Sequence, residues 1–145
     1  MNNTEFKKIL QVSTSVIGFE YCRKNYYYKS EKLIIVINTQ KSNYGDSYYV
    51  NYGFCARDIH DNFDYPKINE CDIIGRFVNE TNDEKKYEFE LSTINSDELI
   101  KCFDYNIRNI IEPVVNEGIN KYFKLFPQAI FTAKRELKEY LEKSK

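Results

Sequence analysis

The spacing of apolar residues changes period along the chain, and each change predicts an element. Phe6, Ile9, Leu10, Val16 and Ile17 recur at helical spacing, with Ser13 on the same stripe. This predicts an amphipathic helix. Asn2 and Glu5 stand three apart before it, the spacing of a capping box with Asn in the place of Ser or Thr. Gly18 is placed to end the helix, because glycine accepts a left-handed backbone.

The period then shortens to two. "GFEYCRKNYYYKS" predicts two short strands about a turn near Lys24-Asn25. In "EKLIIVINTQ", Leu33 to Ile37 run without a polar break and are mostly β-branched. Such a run predicts a central strand covered, at least in part, on both faces. Ser42 to Asp46, with Gly45, is a turn cluster. Beyond it, Tyr48, Val50, Tyr52 and Phe54 fall on one strand face, and Tyr49, Asn51, Gly53 and Cys55 on the other. An antiparallel hairpin follows, with one face burying aromatics under helices and a flatter, more polar face opposite.

"RDIHDNFDYPKINECD" has no period and predicts an irregular loop, longer than a plain connection needs. "IIGRFV" predicts a strand, "ETNDEKK" a polar turn, and "YEFEL" a further strand with Tyr87, Phe89 and Leu91 alternating against Glu88 and Glu90. Asn95 and Glu98 repeat the capping spacing, and Leu99, Phe103, Ile107, Ile110 and Val114 form the next helical stripe. Pro113 is expected to kink this helix and Gly118 to end it. "INKYFKLF" is amphipathic, which leaves helix and non-helix open. A last helix is predicted from about Ala129 to Lys143, with opposite charges four apart at Arg135 with Glu139 and Lys138 with Glu142. The expected fold class is α+β: an N-terminal helix, a mainly antiparallel sheet of about five strands, and C-terminal helices packed on one face. Residues 1–145 are expected to form one domain.

Composition supports a packed core. Hydrophobic residues make up 42% and aromatics 16%, all of the latter Tyr or Phe, which argues against disorder. Net charge is −1, so no global field would hold nucleic acid. Its distribution is uneven. Residues 1–45 carry 7 basic and 3 acidic groups, residues 46–106 carry 6 and 14, and residues 107–145 carry 8 and 5. The middle of the chain is the acidic part.

The candidate chemistry is sparse. Cys22, Cys55, Cys71 and Cys102 form no CxxC pair, and "MNNTEFKKIL" lacks the apolar segment of a signal peptide. Reduced cysteines and a cytoplasmic location are expected. No run approaches the roughly 18 apolar residues of a membrane span. His60 is the sole histidine. As a base for Cys55 it would lack a third, orienting group, and one His with scattered Cys lacks metal-ligand spacing. The glycines show neither Walker nor dinucleotide spacing. The expectation is therefore no enzyme, no cofactor and no metal. "YCRKNYYYK" mixes basic and aromatic residues, as single-strand binders do, yet the acidic middle opposes nucleic acid.

The stretch "IGFEYCRKNYYYKSEKLIIVINTQKSNYGDSYYVNYGF" resembles the uncharacterised bacterial DUF4304 family. The resemblance is carried by Gly18, Phe19, Tyr26 to Tyr28, Ile34 to Ile37, Gln40, Lys41, Ser42 and Tyr48 to Gly53. "IIGRFVNE", with Arg76, and the helix after "YEFELS" extend it to most of residues 5 to 118. It implies a small α+β domain and no reaction.

From the residues, the leading expectation is a non-enzymatic protein-binding domain. Its narrower form is an immunity protein that neutralises a toxin encoded nearby. Acids beside tyrosines suit the basic cleft of a nuclease-type toxin. The expected contact residues are Asp46, Tyr49, Asp58, Asp61, Asp64, Tyr65, Glu70 and Asp72, taken to converge into one negative docking site. The alternative is a small-ligand or enzymatic pocket on the sheet face, with Tyr49, Asn51 and Arg76 as its polar contacts.

Overall fold

The computed structural model describes residues 1–60, 63–81 and 84–143. Helix α1 spans Asn3–Ser15. Its cap is the one the spacing predicts: Asn2 Oδ1 accepts the Glu5 backbone N–H at 2.8 Å. Phe6 and Leu10 are fully buried, whereas Val16 is 80% exposed. Val16 leaves the predicted stripe because regular helix stops at Ser15. Gly18 then takes φ 94° and turns the chain toward the sheet.

Strands β1 (Glu20–Cys22) and β2 (Asn25–Lys29) form a hairpin. Its two turn residues are Arg23 and Lys24, both left-handed at φ 53° and 69°. This geometry matches the right-handed twist of the flanking strands. β3 (Leu33–Lys41) and β4 (Ser47–Ala56) are the long central pair. β5 (Ile73–Arg76) lies on the other side of β4. All pairings are antiparallel, in the order β1-β2-β3-β4-β5. Leu33 to Ile37 are all buried, as expected for a strand covered on both faces.

Two segments differ from the sequence reading. "ETNDEKK" contributes to a separate hairpin of β6 (Asn79–Thr81) and β7 (Glu84–Lys86). The strand predicted at "YEFEL" shrinks to β8 (Phe89–Glu90), which pairs with the start of β4. The cause is a tie across the hairpin base: buried Asn79 donates from Nδ2 to the Glu88 carbonyl at 2.9 Å. Tyr87 falls at a bend before β8 and is 46% exposed, while Phe89 and Leu91 enter the core.

Helix α2 (Ser96–Asn106) is capped by Asn95, whose Oδ1 accepts the Glu98 N–H at 2.9 Å. A π turn over Ile107–Ile111 joins it to α3 (Glu112–Glu117). Pro113 explains the irregularity. It has no N–H for the carbonyl four residues back, at Asn109 inside the π turn, and its ring would clash there. The stripe Leu99, Phe103, Ile107, Ile110 and Val114 is buried throughout. Gly118 (φ 89°) separates α3 from α4 (Ile119–Leu125). A 3₁₀ turn at Pro127–Phe131 follows, so α5 (Arg135–Lys143) begins later than the predicted Ala129. Arg135 pairs with Glu139 at 3.0 Å, as its spacing predicts.

The main core lies between these helices and one face of the sheet. Tyr48, Val50, Tyr52 and Phe54 all point into it. Phe103 touches the rings of Phe6, Phe77 and Phe89 at centroid distances of 5.6, 6.0 and 5.5 Å. Each such buried side chain contributes about 1.5–3 kcal/mol.

Candidate functional site on the second sheet face

The second face of the sheet is divided. Residues 57–60 and 63–72 lie over one half of it as a strap with two short 3₁₀ turns, Arg57–Ile59 and Ile68–Glu70. Beneath the strap lies a small second core of Tyr27, Ile34, Val36, Cys55 and Cys71, with Phe63 and Ile68 packed on it. Gly53 makes the close approach possible: a Cβ there would stand 2.5 Å from Cys71 Sγ and 2.7 Å from its Cβ. Tyr27 donates its hydroxyl to the Pro66 carbonyl at 3.1 Å. The strap is anchored by Asp72. Its Oδ2 accepts the Ala56 N–H at 2.8 Å, and its Oδ1 meets His60 Nε2 at 2.6 Å. Phe63 stacks on the His60 ring at 4.5 Å. The neighbouring Cys55 thiol and burial both push the Cys71 thiol upward, so Cys71 stays protonated and unreactive at neutral pH. All four cysteines are free.

The acids expected to converge do so only in part. Asp46 and Asp58 lie just beyond opposite ends of β4. Ten residues at about 3.3 Å each place them roughly 30 Å apart. Asp58 accepts the Tyr140 hydroxyl at 2.7 Å. Asp72 is 1% exposed and bonded within the molecule, so its expected place on a docking surface is corrected. A carboxylate so deeply buried is retained for the backbone N–H and imidazole it satisfies. Glu70 accepts the Lys67 N–H at 3.0 Å. Asp64, Tyr65 and Glu70 border a shallow hollow that also contains Arg23. Tyr65 itself packs against two cations, with Arg23 Cζ 4.5 Å and Lys29 Nζ 3.6 Å from its ring centre. Asp61 lies outside the described residues.

Tyr49 has a different setting. It belongs to the uncovered half of the face, where strand register brings polar groups together. Asn38, Asn51 and Arg76 stand directly across from one another on β3, β4 and β5, and Gln40 stands across from Tyr49. Asn51, only 6% exposed, is the hub. Its Nδ2 donates to Asn38 Oδ1 at 3.1 Å and to Gln40 Oε1 at 3.0 Å. That leaves Oδ1 to accept Arg76 Nε at 2.9 Å. Arg76 Nη2 donates to Gln40 Oε1 at 3.3 Å. The guanidinium rests on the Tyr49 ring, 4.1 Å from Cζ to the ring centre. The Tyr49 hydroxyl donates to Glu88 Oε1 at 3.3 Å.

Beside this cluster is an open depression of about 490 Å³, floored by Asn51 and Gly75 and bounded by Gln40, Arg76, Ile68, Ile74 and Tyr87. Gly75 is required here, since a Cβ would collide with the Tyr52 hydroxyl on the covered side. The sequence reading names Tyr49, Asn51 and Arg76 as an alternative site. It misses Asn38, Gln40, Tyr87 and Glu88. A signal was present in the first two: they are the polar positions that end the apolar run on one face of β3. Among the described residues no group of three His, Cys, Asp or Glu is placed to hold a metal. Among the same residues no helix is long and apolar enough to cross a membrane.

The fold and this face define an α+β fold with a helix-covered antiparallel sheet whose opposite face is half strapped and half open. The chain belongs to the family described as Domain of unknown function (DUF4304), whose family model matches residues 15–117. That span takes in Gln40, Tyr49, Asn51 and Arg76 but not α5. No curated protein matches the chain, and no solved structure does.

Proposed function

We propose that this protein is a non-enzymatic protein-binding domain that docks a partner on the open half of its sheet. One observation carries the reading: Arg76, stacked on Tyr49 and held by Asn51 and Gln40, stands beside an uncovered depression with apolar and aromatic borders. Interface hot spots favour Arg and Tyr held rigidly among groups that exclude water. Small-ligand sites instead enclose most of their ligand, and this depression is shallow. The toxin-neutralising form keeps protein docking but does not use the expected acidic surface, because Asp72 is buried and Asp46 and Asp58 lie at opposite ends of β4. Its contact surface is the arginine–tyrosine cluster.

A photo-crosslinking residue at Tyr87, expressed in the native host, tests the reading. Tyr105, 49% exposed on α2, is the control position. One specific protein adduct from position 87 and none from 105 is expected. No adduct, or the same adducts from both positions, would overturn it. Co-expression with the product of the adjacent gene tests the toxin form: relief of that product's toxicity by this chain is expected, and no relief would remove that form alone.

A further inference from the structure

Arg76 is held in place beside the open depression with part of its donor set unused. A guanidinium carries five N–H donors arranged as a planar fork. In Arg76 the edge formed by Nε and Nη2 is turned inward: Nε donates to Asn51 Oδ1 at 2.9 Å and Nη2 to Gln40 Oε1 at 3.3 Å. Those two bonds leave three donors, the pair on Nη1 and the second on Nη2. One hydrogen from each of Nη1 and Nη2 lies along the terminal edge of the fork, an edge that can grip a carboxylate with two parallel bonds.

The surroundings fix this edge in place. Asn51 is almost fully buried and spends both its amide hydrogens on Asn38 and Gln40. Its oxygen must therefore face the arginine. Tyr49 supports one face of the guanidinium and is itself oriented through its hydroxyl on Glu88. Among the described residues no carboxylate forms an ion pair with Arg76. A positioned guanidinium with no ion-paired carboxylate among the described residues, in a chain whose middle segment carries 14 acidic groups, is selective by repulsion as well as attraction. It accepts a single inserted carboxylate and disfavours a densely charged anion near Glu88.

We propose that the depression beside Arg76 receives an acidic side chain of a protein partner, whose carboxylate takes the terminal edge of the guanidinium while its apolar neighbours rest against Ile74 and Tyr87. This deepens the protein-binding reading and rests on it. Such an inserted acid forms a charge-assisted, bidentate contact at the centre of the docking face.

The test is an NMR titration of the full chain, following the Arg76 Nε–Hε and Asn51 side-chain resonances. The probes are the capped peptide acetyl-Ile-Glu-Ile-amide, its Gln counterpart, and inorganic phosphate. The Glu peptide is expected to shift these resonances, saturating on the order of millimolar, and the Gln peptide to bind about ten- to a hundred-fold more weakly. Arg76→Gln is expected to abolish the difference between the two peptides while leaving the core amide spectrum unchanged. Arg76→Lys is expected to keep part of it, because a lysine lacks the fork. Equal shifts with both peptides would overturn the proposal. So would tighter binding of phosphate than of the Glu peptide, or persistence of the Glu preference in Arg76→Gln. The crosslink from position 87 separates the two readings. A specific adduct with no Glu preference leaves protein docking standing without the carboxylate. A Glu preference with no adduct retains the carboxylate receptor and removes the protein partner.

Discussion

The two faces of the sheet use the same strands for opposite ends. On the helix side, β4 presents Tyr48, Val50, Tyr52 and Phe54 to the core, where Tyr48 meets Phe6 of α1 and Tyr52 and Phe54 meet Tyr122 of α4, and all four are buried. The polar atoms there are satisfied internally, as in the Tyr52–Tyr122 hydroxyl pair at 2.8 Å. On the other side the same strand presents Tyr49, Asn51, Gly53 and Cys55. Gly53 and Cys55 lie under the strap, and Tyr49 and Asn51 lie beyond it. The difference shows how one strand separates stability from recognition. Residues of even number hold the helices, and residues of odd number hold the strap or arrange the arginine.

Substitutions on the two faces should therefore differ in kind. The largest effect is expected from Phe103→Ala, which removes a ring touching Phe6, Phe77 and Phe89. Urea unfolding should show a loss of about 3–5 kcal/mol, and a loss under about 1 kcal/mol would mean that the covered face is not the main core. Gly53→Ala comes next. Its Cβ would push against Cys71 and lift the strap, for about 1–3 kcal/mol by overpacking. Adding Cys71→Ala should recover part of that loss, and a strictly additive double mutant would refute the contact as its cause.

Alkali should also act on the buried phenols. Burial, with a smaller contribution from Tyr21, raises Tyr26 from its ordinary 10.0 to about 12. Burial also raises Tyr52 and Tyr122. Each of these folded-state values lies above the unfolded one, so the fold favours the neutral phenol. The associated stability is complete below pH 10.0 and is lost as pH rises toward about 12. A denaturation midpoint unchanged across that window would contradict the burial of these hydroxyls. The smallest change in stability is expected from Arg76→Gln, about 0.5–1.5 kcal/mol for the hydrogen bond to Asn51 it removes, even though this substitution is the one that should remove carboxylate recognition. Calorimetry of the variant provides the check.

Much of the architecture is legible in local sequence because its causes are local. Asn2 and Asn95 cap helices through groups three residues away. The alternation from Tyr48 to Cys55 assigns each side chain to a face whatever the strand pairs with. The unbroken run from Leu33 to Ile37 requires cover on both sides. The two departures have different causes, one a contact nine residues along the chain and the other a local turn. Asn79 ties the β6–β7 hairpin to Glu88 and shortens the predicted "YEFEL" strand. Pro127 to Phe131 form a 3₁₀ turn, which delays α5.

The candidate site depends still more on distance along the chain. Gln40, Asn51 and Arg76 become one hydrogen-bonded group only through the register of β3, β4 and β5. The acids behave in the converse way: their closeness in sequence suggested a shared surface, and the length of β4 separates Asp46 from Asp58. Periodicity and capping chemistry, acting over a few residues, determined that this chain makes a helix-backed antiparallel sheet with one aromatic and one polar face. Which half of the polar face stays open was decided only when the strap docked at Gly53 and Asp72 closed on His60. Those contacts join residues far apart in the chain, and no local pattern encodes where their side chains meet.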